Sequence, residues 1–161
     1  MALHVALLEV RTPPVTGAIA RHCAAADASL HLVGPLGFSA DDPELREAGP
    51  SDWNKLDWWV HPGWRDFRDA MSRERCLYFS TEGTREPADA PFRPNSVLVF
   101  GNEAGSIPDR IRDKYPERVF RLPSLGKRKQ MPLPDAVAAV LAIAGPRISD
   151  APPPARKRRR R

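Results

Sequence analysis

The sequence predicts an α/β domain built on a mainly parallel sheet with helices on both faces. Strand-length apolar runs alternate along the chain with segments whose apolar residues recur at helical spacing. Most of these runs are near-continuous rather than alternating, as in strands buried on both faces and joined by crossover helices. The composition is that of an ordinary globular domain, with 161 residues, 42% hydrophobic and 28% charged, enough chain to close a core.

The elements follow in order. Leu3-His4-Val5-Ala6-Leu7-Leu8-Glu9-Val10 is the first strand. Residues 17–28 are expected to form a helix, with Ile19, His22, Cys23 and Ala26 at helical spacing. Leu30-His31-Leu32-Val33 is a second strand, ended by Gly34-Pro35. A short helix is expected over 43–48, capped by Asp42 and opened by Pro43. Trp58-Trp59-Val60 is a third strand, and 63–71 a helix with Trp64, Phe67, Arg68 and Met71 along one side. Cys76-Leu77-Tyr78-Phe79 leads into a polar loop, and Ser96-Val97-Leu98-Val99-Phe100 runs into Gly101. A helix over 108–115, the strand Val119-Phe120-Arg121-Leu122 and an alanine-rich helix over 135–144 complete the pattern. Ligands in such sheets gather at the carboxyl ends of strands. The loops after Phe79, Phe100 and Leu122 are therefore the expected site.

Composition excludes several classes. The longest apolar runs fall far short of the ~20 residues a membrane helix needs. The N-terminal residues carry no basic lead, and the first apolar stretch ends at Glu9, so no secretory leader is expected. Cys23 and Cys76 have no CxxC partner or metal-ligand neighbour, which fits buried free thiols in a reducing cytoplasm. His4, His22, His31 and His61 lack metal-ligand spacing, so no metal is expected and the four read as structural. Trp53, Trp58, Trp59 and Trp64 read as core or dimer packing rather than base-stacking residues.

The formal charge of +5 comes from one end. Residues 151–161 hold six basic side chains; the remainder has 19 Lys and Arg against 20 Asp and Glu, a net charge of −1. The sequence thus divides into a domain over 1–145 and a proline- and arginine-rich tail over 146–161, expected to be flexible. Strong attraction to nucleic acid would come from the tail residues Arg156, Lys157, Arg158, Arg159, Arg160 and Arg161, or from local patches such as Lys127-Arg128-Lys129.

Three segments carry a resemblance: 3–21, with Pro13-Pro14-Val15-Thr16-Gly17; Phe100-Gly101-Asn102-Glu103-Ala104-Gly105-Ser106-Ile107-Pro108; and Arg121-Leu122-Pro123 followed by Gln130-Met131-Pro132-Leu133-Pro134-Asp135. In this order and register the chain resembles the SPOUT (SpoU/TrmH-type) RNA 2′-O-ribose methyltransferases. It is most similar to the subgroup acting on the tRNA wobble nucleotide, over roughly 3–145. The resemblance implies a deep C-terminal trefoil knot, a homodimer, S-adenosyl-L-methionine as cofactor, RNA (tRNA) as partner, and a cytoplasmic enzyme independent of metal and membrane. It implies cofactor contacts from the loops 79–83, 101–103 and 122–133, at Phe79, Gly101, Glu103, Leu122, Gln130, Met131 and Leu133, largely through backbone groups. It implies Arg21 as the catalytic residue. Val15, Ala18, Ser106, Pro132 and Pro134 depart from the family's pattern. Proline offers no N–H, so a catalytically degenerate RNA-binding protein on the same scaffold is the alternative expectation.

Overall fold

The computed structural model describes residues 3–125 and 131–150. Six strands form one sheet: β1 (His4–Leu8), β2 (Ser29–Val33), β3 (Trp58–His61), β4 (Cys76–Ser80), β5 (Val97–Phe100) and β6 (Val119–Arg121). Their order is β3-β2-β1-β5-β4-β6, and every neighbouring pair is parallel. The expected sheet is therefore present, with the most apolar runs, β1 and β5, side by side at its centre. The strand order reverses between those two, so the crevice at their carboxyl ends is the topological switch point.

Helices α1 (Pro13–Ala25) and α5 (Leu133–Asp150) cover one face, where Ile19, Cys23, Val137 and Val140 pack on Leu7, Leu32, Phe79 and Leu98. Helix α2 (Pro43–Ala48) lies against α1. Helices α3 (Trp64–Ala70) and α4 (Asp109–Arg112) cover the other face, where Phe67 and Ile111 meet Ala6, Tyr78 and Val99. Alternate residues of the inner strands β1, β2, β4 and β5 thus serve two cores, which is why those runs are mostly apolar.

Some boundaries differ from the sequence expectation. Helix α1 begins at Pro13 rather than at residue 17, because two prolines fit a first turn that needs no N–H donors. Gly17 is inside the helix, where a Cβ would lie 2.6 Å from the Ala48 Cβ, so this glycine allows α1 and α2 to cross closely. Helix α4 is shorter than expected, ending at Arg112. Helix α5 runs to Asp150, past the expected start of the tail, with Pro146 inside it. Tertiary docking carries it through the proline: Arg147 donates from Nη1 to the Ala88 carbonyl and sits over the Phe92 ring. The tail from 151 onward lies outside the described residues.

Cys23 and Cys76 are buried free thiols, as expected, and burial pushes the Cys23 thiol up to about 12 and that of Cys76 up to about 11. Three histidines form an array across β1, β2 and β3: His4 Nδ1 lies 3.1 Å from His31 Nε2, and His31 Nδ1 lies 3.0 Å from His61 Nε2. Burial, then the neighbouring imidazoles, lowers the pKa of His31 to about 3. Trp53 and Trp58 flank the Arg46 guanidinium at 5.2 and 5.1 Å, whereas Trp59 on the edge strand is 48% exposed. Among the described residues no group of three or more His, Cys, Asp or Glu is placed to hold a metal ion, and no helix is long and apolar enough to cross a membrane.

Candidate active site

The loops leaving β4, β5 and β6 meet at one end of the sheet. Leu122 N–H donates to the Ser80 carbonyl at 2.9 Å, and Thr81 N–H to the Gly105 carbonyl at 3.0 Å. The chain leaving β4 then crosses β6: Arg85 forms a parallel bridge with Phe120 and accepts from Arg121 N–H at 2.7 Å. Strand β6 is thus held by Ser80 and by Arg85, two ends of the same short loop. Gly83 passes directly over it, where a Cβ would come within 2.3 Å of the Phe120 carbonyl carbon. Gly101 is equally confined, since a Cβ there would lie 1.9 Å from the Ser106 carbonyl oxygen. Gly105 has φ 82°, a left-handed backbone that suits glycine.

Four of the expected cofactor residues are buried here: Gly101 and Leu122 in these loops, Phe79 near the end of β4 and Leu133 at the start of α5. Phe79 stacks on Phe100 with ring centroids 5.3 Å apart. What Phe79, Leu122 and Leu133 can offer a ligand is therefore main chain. Met131 is partly buried against the core. Gln130, Lys127, Arg128 and Lys129 lie outside the described residues, as do Arg156, Lys157, Arg158, Arg159, Arg160 and Arg161.

Glu103 has a second task. Its carboxylate accepts from Arg11 N–H at 3.1 and 3.0 Å and from Thr12 N–H at 2.6 Å. It thereby closes the start of α1, whose cap residue Thr12 makes no side-chain capping bond. Burial opposes the charged form, but the hydrogen bonds from Thr12 and Arg11 outweigh it and hold this carboxyl below its ordinary pKa. The clamp ties the loop after β5 to the helix that carries Arg21. Arg21 is exposed on α1 and makes no hydrogen bond or ion pair with the described residues.

The prolines of the third segment build a helix start. The Pro132 carbonyl accepts from Ala136 N–H at 3.0 Å, and Pro134 occupies the first turn of α5, where a missing N–H costs nothing. The departure from the family's residues therefore preserves local structure.

Two open cavities flank the switch point, the larger bordered by the loops after β4 and β5 that the sequence singles out. One, of about 420 Å³, is lined by Glu9, Arg11, Glu82, Asn102, Ser106 and Asp109 among others. The other, of about 380 Å³, is lined by Glu9, Arg11, Pro35, Leu36 and Gly37.

The site is thus a polar crevice at the switch point of a parallel α/β sheet, bordered by backbone-built loops converging at its carboxyl end. The chain belongs to the SpoU rRNA Methylase family, whose model matches residues 2–142. It is 36% identical over 156 residues to a tRNA (cytidine(34)-2′-O)-methyltransferase of Acidovorax sp., covering 94% of this chain and 95% of the relative. It is 33% identical over 140 residues to the Escherichia coli K12 protein of the same name, covering 86% and 89%. A solved structure described as giving structural insights into 2′-OH methylation of C/U34 on tRNA superposes with a TM-score of 0.79 at 30% identity, covering 89% of this chain and 88% of that one. The SpoU methyltransferase AviRb of Streptomyces viridochromogenes, solved with AdoMet, has the same fold, with a TM-score of 0.79 at 19% identity over 91% of this chain and 57% of its own.

Proposed function

We propose that this chain is an S-adenosyl-L-methionine-dependent RNA ribose 2′-O-methyltransferase acting on the wobble nucleotide of a tRNA. The observation that carries the reading is the convergence of the loops after β4, β5 and β6 in a member of this family. It is joined by near full-length similarity to two relatives named for that activity. S-adenosylmethionine supplies an electrophilic methyl group. The residues fit such a cofactor, because Gly83 and Gly101 let the loops after β4 and β5 pack main chain against main chain, so that backbone groups border the crevice.

The remaining chemistry falls to the chain's own groups. A ribose hydroxyl is a weak nucleophile and has to be oriented as its proton is lost. A guanidinium carries N–H donors and no acceptor, so Arg21 steers the ribose oxygen and stabilises the charge that develops there, while the hydroxyl proton passes to water. Its exposure on α1 supports an active site completed by a second copy of the chain. Glu103 fixes the distance between the loop after β5 and the helix bearing Arg21.

The grip of Ser80 and Arg85 on β6, with Gly83 across it, supports a C-terminal segment threaded through this loop as a trefoil knot. Lys127, Arg128, Lys129 and the tail arginines supply phosphate contacts in this reading. Incubation of the full chain with methyl-labelled cofactor and a tRNA pool is expected to label one nucleotide at its 2′-oxygen, and Arg21→Ala to abolish the label. A folded protein that binds the cofactor in calorimetry yet labels no tRNA sinks the enzyme and leaves the RNA-binding alternative.

A further inference from the structure

Arg112, the last residue of α4, gathers three carboxylates. Its Nη1 donates to Glu82, its Nη2 lies 3.0 Å from Asp109, and its Nε lies 3.7 Å from Asp113. Asp109 and Asp113 are local neighbours with well-exposed side chains that water alone would satisfy. Glu82 is different: it comes from the loop after β4, on another element of the fold. Its pair with Arg112 also joins the two least exposed side chains of the group, at 48% and 26%.

The position of this pair gives it content. Glu82 stands in the middle of the tight turn that leaves β4. Thr81 N–H donates to the Gly105 carbonyl and Gly83 N–H to the Ser80 carbonyl, both at 3.0 Å. The Glu82 N–H itself donates to Ser80 Oγ at 3.2 Å. The backbone of the turn is therefore tied to β4 and to the loop after β5, and the Glu82 side chain ties it to α4. Glu82 and Asp109 both line the larger crevice, of about 420 Å³. One guanidinium thus neutralises carboxylates from two of its walls. Without it, like charges within reach of a single side chain repel one another, and the turn is pushed away from α4.

We propose that Arg112 is a positioning residue for the methyl-transfer reaction: through Glu82 it sets the loop after β4 in the arrangement that receives S-adenosylmethionine. This rests on the function proposed above. Arg112 need not touch the cofactor. A site built from main-chain groups is only as good as the placement of its loops, and a loop fixed before binding avoids the cost of ordering it on binding. Arginine suits the task because its planar fork bonds several carboxylates in one fixed geometry, which the point charge of a lysine does not.

The test is calorimetry of the full chain with S-adenosylhomocysteine. This demethylated product lacks the sulfonium charge, so its affinity follows loop geometry rather than attraction of a cation to the carboxylates. Arg112→Gln is expected to bind it about tenfold more weakly than the parent, the scale of coupling within a charge network. Glu82→Gln loses the tie without leaving the repulsion, and is expected to bind it about threefold more weakly. The double variant is expected to match Glu82→Gln, so that the second substitution recovers part of the loss caused by the first. The Arg112→Gln deficit should shrink in 1 M salt, where screening acts within about 3 Å. In methyl transfer the loss should appear in KM for S-adenosylmethionine, with kcat within about twofold of the parent. A folded Arg112→Gln or Glu82→Gln that binds the product as the parent does, whatever its melting temperature, overturns the positioning role. So does a double variant as weak as Arg112→Gln alone. A parent that binds neither cofactor nor product removes the proposed function and this inference with it.

Discussion

At the scale of single residues, Glu103 does most to organise the site. It is expected among the cofactor contacts, and its carboxylate also receives the backbone N–H groups of the two residues just ahead of α1. Its pKa is depressed by those bonds against the effect of burial. A carboxyl with a depressed folded pKa adds stability above its unfolded value near 4.5, and that stability is lost as pH falls through the folded value. Glu103→Gln is therefore expected to lower stability by about 1–2 kcal/mol at pH 7, the scale of a lost helix cap. It is also expected to flatten the acid limb of the stability curve below pH 4.5. Urea unfolding across that range decides the matter; equal acid slopes in parent and variant reject the clamp. Sequence could place Glu103 in the right loop, because loop position follows from the alternation of apolar runs. It could not reveal the clamp, because the partners are backbone groups some ninety positions away, and a main-chain N–H leaves no mark on residue identity.

At the scale of elements, legibility followed burial. The inner strands were readable because parallel strands buried on both faces require unbroken apolar runs, and the exposed edge strand β3 was readable from its aromatic and β-branched residues Trp58, Trp59 and Val60. Helix ends were read less well. Gly17 suggested a helix start but serves a close helix crossing, and Pro146 suggested a stop where docking of Arg147 overrides propensity. The last helix therefore carries two poor helix formers, Gly145 and Pro146, in its interior. Gly145 directly precedes Pro146, whose ring disfavours a helical backbone for a preceding residue that carries a Cβ. Gly145→Ala is therefore expected to destabilise the chain by about 1 kcal/mol despite the better helix propensity of alanine. A thermal midpoint that rises would show that the helix bends at the proline enough to accept the methyl group.

At the scale of the whole molecule, charge is divided between a near-neutral body and a terminal run of six basic residues. In the function proposed above, the two parts bind RNA with different physics. Contacts in the loops around the switch point are short-ranged, whereas the tail meets phosphates that every RNA presents. Each phosphate neutralised releases counterions, so log affinity falls with log salt by about 0.7 per contact on single strands and about 0.9 on duplex. Replacing Arg156, Lys157, Arg158, Arg159, Arg160 and Arg161 by glutamine is then expected to shrink the slope by up to about 4–5. Affinity should weaken by a common factor for all tRNAs at low salt. The variant should keep the parent's preference among target nucleotides, because the groups that read a base reside in the folded body and are unaltered. Titrations at several salt concentrations separate the two contributions. An unchanged slope would assign the tail to something other than RNA, and a lost preference would mean that the body does not read the base unaided.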